Sequence, residues 1–202
     1  MQNVFPIAYF GSVGYYQKLV EARDVCFELH EHYVKQTLRN RMRILGPNGI
    51  QELSIPVVKP DGSKTITAKI EIFERENWQK IHWKALETAY GASPYFEHYA
   101  LEIHELIHQP ETNLVAFNQN IHARICSWLD LSVQSATTNT YASVMAASQD
   151  FRNAFADPNP DLEAYTQVFA PTGKFESDLS ILDAVMNLGP MARKLVVKRE
   201  QV

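Results

Sequence analysis

Val4-Phe5-Pro6-Ile7-Ala8-Tyr9-Phe10-Gly11-Ser12-Val13-Gly14-Tyr15 opens a stretch that closes with Asp24-Val25-Cys26-Phe27-Glu28-Leu29-His30-Glu31. Val4 to Phe10 is a short apolar run containing Pro6, which fits an edge strand or the end of one. Gly11 and Gly14 punctuate the following turn, and Tyr15 to Ala22 reads as helical. From Asp24 to Glu31, Val25, Phe27 and Leu29 alternate with polar residues, the period of a strand. Strand, helix and strand in this order predict a parallel βαβ unit, and so an α/β fold.

Outward from that unit, Arg41 to Leu45 and Ile50 to Val58 flank Gly46-Pro47-Asn48-Gly49, a hairpin signal. Pro60-Asp61-Gly62-Ser63 marks a second turn. Thr65 to Phe73 then reads as a strand with Ile66, Ala68, Ile70 and Ile72 on one side. Helices are expected from Asn77 to Tyr90, from Pro94 to His108 and from Leu114 to Leu129, with Asn77 as a cap and Pro110 as a stop. Val133 to Thr140 and Tyr165 to Phe169 are candidate returning strands. Residues 152–161 read as a loop, and Leu179 to Val197 as helix broken at Gly189-Pro190. The expected architecture is a mixed sheet begun by a βαβ unit and a hairpin, covered by several helices. It forms one domain over 1–202, mainly sheet-forming to residue 76 and mainly helical beyond.

Apolar residues make up 46% of the 202 residues, an ordinary globular share. A formal net charge of -4 argues against a nucleic-acid partner, whose footprint is broadly basic. Cys26 and Cys126 lie in apolar contexts without metal-ligand spacing, which suits a reducing compartment. No signal-peptide pattern is apparent and no apolar run reaches membrane-spanning length, so a cytoplasmic location is expected.

Against that acidic balance, Tyr33-Val34-Lys35-Gln36-Thr37-Leu38-Arg39-Asn40-Arg41-Met42-Arg43 concentrates positive charge. If residues 39–43 are extended, Arg39, Arg41 and Arg43 share one face. Three guanidinium forks on one face suit a phosphate or carboxylate. They equally suit a solvated edge strand that uses charge against aggregation.

Other groups carry two readings each. Trp78 and His82 are one helical turn apart with Tyr90 further along the same face, giving either an aromatic wall beside a general base or a buried aromatic core. His104-Glu105-Leu106-Ile107-His108 has the spacing of a zinc-protease helix. Yet Pro110 and Leu114 stand where the extended motif wants glycine and histidine, and an amphipathic helix with exposed histidines explains the segment. His30-Glu31-His32 offers metal-ligand types, but three consecutive residues cannot all face one point. Tyr9 to Tyr15 sits at the first strand-to-helix turn, where parallel sheets bind ligands.

Several of these segments occur together in one known family. Ala8-Tyr9-Phe10 with Gly14-Tyr15-Tyr16, Tyr33-x-Lys35-x-Thr37-x-Arg39-Asn40-Arg41 and Leu53-Ser54-Ile55-Pro56-Val57 carry the first part of the resemblance. Asn77-Trp78, His82-Trp83, Tyr90, Ser93-Pro94-Tyr95-Phe96, Leu179 to Asp183 and Asn187-Leu188-Gly189-Pro190 carry the rest. Over nearly its whole length the chain resembles the WbqC-like protein family. Many members have a histidine-proline-asparagine-tyrosine-type motif after the first strand, where this chain has Ile7-Ala8-Tyr9. Many also have paired aspartates after the second, where it has Leu29-His30-Glu31-His32.

The resemblance implies action on sugars or their activated carriers in surface-polysaccharide synthesis of the O-antigen type, and the leading expectation is a transferase acting on an activated sugar or acyl donor. In that reading a nucleotide sugar or acyl carrier is the anionic small-molecule partner, and no metal or other cofactor is expected. Lys35, Arg39 and Arg41, with Asn40 and Tyr9 beside them, bind substrate. His82 is the general base, Trp78 and Tyr90 form a stacking wall, and Asn77 orients the acceptor or caps its helix. The absent N-terminal histidine favours the alternative, a non-catalytic protein that binds a glycan precursor or organises other enzymes. A zinc hydrolase using His104 and His108 is the third reading.

Overall fold

The computed structural model describes residues 3–74, 77–143, 149–155, 162–170 and 174–197. The fold class is α/β. Strand β1 (Asn3–Phe5) leads through helix α1 (Val13–Ala22) to strand β2 (Asp24–Phe27), and the two strands pair in parallel with Val4 opposite Cys26. Strands β7 (Gln134–Thr137) and β8 (Gln149–Asp150) complete a parallel sheet in the order β7-β2-β1-β8.

α1 begins where the sequence provides a start signal. Ser12 has extended backbone angles, and its Oγ accepts the Tyr15 N–H at 3.2 Å, satisfying one of the donors every helix start leaves open. Gly11 is required because a Cβ there would lie against the Tyr15 ring. The Tyr15 hydroxyl donates to the Pro6 carbonyl at 2.8 Å and so ties α1 to the end of β1.

The hairpin stands apart from that sheet. β3 (Arg41–Gly46) and β4 (Gly49–Ser54) pair antiparallel with Gly46 opposite Gly49, leaving Pro47 and Asn48 as the turn. Beyond Ser54 the chain leaves the hairpin, and β5 (Val57–Val58) pairs with β6 (Glu71–Ile72). The expected mixed sheet is therefore one parallel sheet with two separate antiparallel pairs.

Between β5 and β6 the expected strand over 65–73 is largely replaced by short 3-10 turns, Gly62–Lys64 and Thr67–Lys69. The Thr67 and Ala68 N–H groups donate to the Glu31 and Leu29 carbonyls, at 2.9 and 2.8 Å. That cross-link buries Thr65 and Thr67 and leaves Ile66 and Ala68 only partly covered, against the hydrophobic alternation.

Helices α2 (Trp78–Tyr90), α3 (Phe96–Ile107) and α4 (Leu114–Trp128) follow as read from the sequence, with one difference in capping. Asn77 occupies the cap position of α2 without a side-chain capping bond, whereas Asn113 Oδ1 accepts from Val115 and Ala116 at the start of α4. α5 (Ile181–Leu188), a 3-10 turn (Gly189–Ala192) and α6 (Arg193–Val196) reproduce the break at Gly189-Pro190. Residues 165–169 do not return to the sheet; the two-residue β8 does. Of the expected loop at 152–161, residues 156–161 lie outside the described ones.

Buried side chains from the sheet, the hairpin and every long helix form one contiguous cluster. No described helix is long and apolar enough to cross a membrane.

Candidate functional site

A pocket of about 230 Å³ opens at the carboxyl ends of β1 and β8. Pro6 follows β1 into its wall, and Arg152, Asn153 and Phe155 follow β8. The strand order makes this position special. From β1 the chain runs through α1 to β2 and on to β7 on one side, whereas β8 adds to the other side. The gap between β1 and β8 is thus a topological switch point, where open α/β sheets bind ligands.

Two helix starts face the same space. Ser12 caps α1, Ser180 caps α5, and both line the pocket. The strand-like pairing of Ser12 with Ser180, with Val13 N–H to Leu179 O at 3.2 Å and Ile181 N–H to Gly11 O at 2.9 Å, holds the two starts together. The Ser180 N–H also donates to the Arg43 carbonyl at 2.8 Å, which locks the hairpin to them. Each helix start adds a partial positive charge, worth about 0.3–1 kcal/mol toward a nearby anion, although at α5 the Ser180, Ile181, Leu182 and Asp183 N–H groups are already taken by Arg43 O, Gly11 O, Ser180 Oγ and Ser180 O.

Four guanidinium groups line this pocket: Arg39, Arg41, Arg43 and Arg152. Arg41 and Arg43 reach it from β3 by strand alternation. Arg39 precedes the strand, in a turn, and is 1% exposed. Its Nε donates to Glu31 at 3.0 Å and its Nη2 to the same oxygen. Arg152 is held by Asp150, with Nε to the two carboxylate oxygens at 2.9 and 3.1 Å. Arg41 pairs with Glu52 across the hairpin, but its buried Nε has no hydrogen-bond partner among the described residues. Arg43 forms no ion pair among the described residues, and its charge acts on Asp178.

Asp178 is the buried carboxyl of the pocket, 8% exposed. Burial raises its pKa, while a hydrogen bond from the Ser12 side chain and the Arg43 charge act the other way. Its backbone is left-handed, with φ of 58°. Phe10, at 42°, and Gln36, at 59°, are also left-handed and also line the pocket. Non-glycine residues in this region cost about 1–3 kcal/mol and gather at functional sites. Three such residues around one pocket form a second, independent mark of function.

The sequence candidates divide sharply in position. Arg39 and Arg41 line the pocket. Asn40, between them, turns away and donates to the Ile55 carbonyl at 2.8 Å. Lys35 is exposed beside Lys59. Tyr9, Trp78, His82 and Tyr90 are buried in the core cluster or against it, and none lines the pocket.

His82 Nδ1 is 2.8 Å from the Tyr9 hydroxyl, and a backbone bond at Ser54 engages the ring too. Burial pushes its pKa down to about 4, against that backbone bond. Tyr90 lies beside Asp183, which accepts the Tyr165 hydroxyl at 2.7 Å and Gln167 Nε2 at 2.9 Å. Asn77 is exposed.

The metal readings find no support in the geometry. Among the described residues no three His, Cys, Asp or Glu side chains converge on one point. Glu31 of the His30-Glu31-His32 run is committed to Arg39. His104 and His108 stack on each other with centroids 4.0 Å apart, and His108 Nδ1 bonds the His104 carbonyl.

Ser12, Arg43, Arg152 and Asp178 are pocket residues that the sequence-based site omits. Arg43 was within reach of the alternation argument and Ser12 of the helix-start argument. Asp178 had no local signal, since it comes from a loop far along the chain.

The sequence model of the WbqC-like protein family matches residues 8–155. "Uncharacterized protein Rv1507c" of Mycobacterium tuberculosis is 24% identical over 208 residues, covering 89% of this chain and 90% of the relative. No solved structure matches.

Proposed function

The chain belongs to the WbqC-like protein family, and we propose that it is a transferase acting on an activated sugar or acyl donor in surface-polysaccharide biosynthesis. The observation that carries this reading is the arginine-lined pocket at the switch point between β1 and β8. The family resemblance supplies the glycan context; the pocket supplies the anion chemistry. Arg41 and Arg43 meet the phosphate or carboxylate, and the starts of α1 and α5 add partial positive charge. As the leaving group departs, its developing charge is met by the same fixed donors.

Size restricts what enters. Sites enclosing drug-sized ligands run to roughly 300–1,000 Å³. At about 230 Å³ the pocket takes a group of sugar-phosphate size, and the remainder of a nucleotide sugar or acyl carrier lies outside it. Asp178 is the carboxyl placed to take a proton from an acceptor, and its burial moves its pKa toward the range a general base needs. His82, expected from the sequence to be the base, has its ring engaged by Tyr9 and Ser54 away from this pocket.

A thermal-shift screen of nucleotide sugars, nucleotides and acyl thioesters at matched ionic strength tests the reading. A ligand at ~100 times its dissociation constant stabilises the fold by about 2.7 kcal/mol. The shift is expected in the wild type and absent in Arg41→Ala and Arg43→Ala, which fold normally. A shift that survives both substitutions refutes the site.

One observation favours a second reading, a glycan-precursor binder without turnover: three of the four pocket arginines already hold carboxylates. Such a protein retains the shift but never consumes the donor.

A further inference from the structure

The anion site is not a purely cationic one. Each of Arg39, Arg41 and Arg152 carries a carboxylate partner, Glu31, Glu52 and Asp150 respectively, and Arg43 has Asp178 in its field. Formal charges around the pocket therefore balance, and the two helix starts add only partial positive charge. Two of those carboxylates, Glu52 and Asp178, line the cavity themselves. A ligand phosphate drawn to Arg43 and the helix starts comes to lie beside the Asp178 carboxyl. A ligand that is only anionic meets repulsion there; one that also carries an ammonium group meets attraction.

Resting on the reading of this pocket as the substrate site, we infer that its ligand carries both charges: a sugar-sized amine bearing a phosphate or carboxylate, the anion on Arg41 and Arg43 and the amino group on Asp178.

The surroundings of Asp178 fit that division of labour. Its carboxyl accepts from the Ser12 side chain, and Ser12 Oγ is itself fixed by accepting the Tyr15 N–H. Ser180 N–H to Arg43 O and Ser180 Oγ to Phe10 O, at 2.8 and 2.9 Å, clamp the segment just after Asp178 between β3 and the residues before α1. The carboxyl is thereby held at a fixed place relative to Arg43 although it comes from a loop. Its left-handed backbone shows that the surrounding bonds impose this position on an unfavourable conformation. An ammonium brought there favours the ionised carboxyl in the same direction as Arg43 does.

Isothermal titration with three probes tests this: glucosamine 6-phosphate, glucose 6-phosphate and glucosamine, at equal ionic strength. The expected result is at least tenfold tighter binding of the amino sugar phosphate than of either other probe. Asp178→Asn, nearly the same shape without the charge, is expected to erase the preference over glucose 6-phosphate while phosphate binding persists. Arg43→Ala is expected to lose both phosphates. Equal affinity for the two phosphates in the wild type, or a preference that survives Asp178→Asn, overturns the inference and leaves the anion site standing. Binding of none of the probes overturns the inference together with the site. If Asp178→Asn does not fold, the wild-type comparison still decides, and Ser12→Ala, which removes the donor holding Asp178, is the second variant.

Discussion

Neighbouring arginines of this chain have opposite duties, and their burial separates them. Arg39 is 1% exposed and bound to Glu31, Thr37 and the Arg152 carbonyl. Removing one partner of a buried ion pair leaves the other charged and unpaired, at a cost of about 3–5 kcal/mol. Burial already raises the Glu31 pKa against the opposing pull of Arg39. Arg39→Ala is therefore expected to lose about 3–5 kcal/mol in urea unfolding, while Arg41→Ala and Arg43→Ala stay within about 1 kcal/mol of wild type. An Arg39→Ala protein as stable as wild type contradicts the structural role given to this residue. From the sequence the three arginines are equivalent, because alternation assigns a face and says nothing about depth. Only the tertiary neighbours, Glu31 from the loop after β2 and Asn118 of α4 donating to the Arg39 carbonyl, set Arg39 apart.

At the scale of elements, the parts built from local signals were legible. The βαβ start follows from an apolar run, a glycine-bounded turn and an alternating strand; the hairpin follows from Gly46-Pro47-Asn48-Gly49. Elements set by distant partners were not. Thr65 to Phe73 has the strand period, yet carbonyls at 29 and 31 recruit its N–H groups and curl it into a 3-10 turn. β8 is two polar residues long, too short to show any period, and exists because β1 offers it an edge.

The end of α5 shows the local case at its strictest. Gly189 has φ of 57° and ψ of −135°, a combination that glycine adopts far more readily than other residues, and a Cβ there would collide with the Tyr95 ring. Gly189→Ala is expected to destabilise by roughly 2–5 kcal/mol, strain of about 1–2 and overpacking of about 1–3 acting together. A thermal melt checks it, and an unchanged melting temperature contradicts the packing described here.

For the whole molecule, buried histidines set the response to acid. Burial pushes His82 and His122 down to about 4, with Ser54 opposing it at His82. Both are neutral when folded, so nothing is lost above the unfolded pKa near 6.5. As pH falls from there toward about 4 the unfolded chain takes up protons that the folded one does not, and stability drops by on the order of 3 kcal/mol per histidine. Glu31, Asp178 and Asp183 act in the opposite sense, because burial raises their pKa values and folding favours their protonated forms. His122 stacks on Tyr16 with planes 12° apart, a contact phenylalanine preserves. His122→Phe is accordingly expected to lose less stability than wild type between pH 6.5 and 4; parallel pH profiles contradict the assignment.

The candidate site is a property of the same whole. It joins the ends of β1 and β8, the starts of α1 and α5 and one face of β3, from residues 6 to 180. The sequence displays the arginine face but not Asp178 or Arg152, which only the sheet order and the clamp at Ser180 bring to it. The most direct test is a crystal structure of the protein soaked with a sugar phosphate. The account predicts density for the phosphate between the carboxyl ends of β1 and β8, within hydrogen-bond distance of the Arg41 and Arg43 guanidinium groups. Density at Trp78 and His82 instead, or an empty switch-point pocket with ligand bound elsewhere, contradicts it.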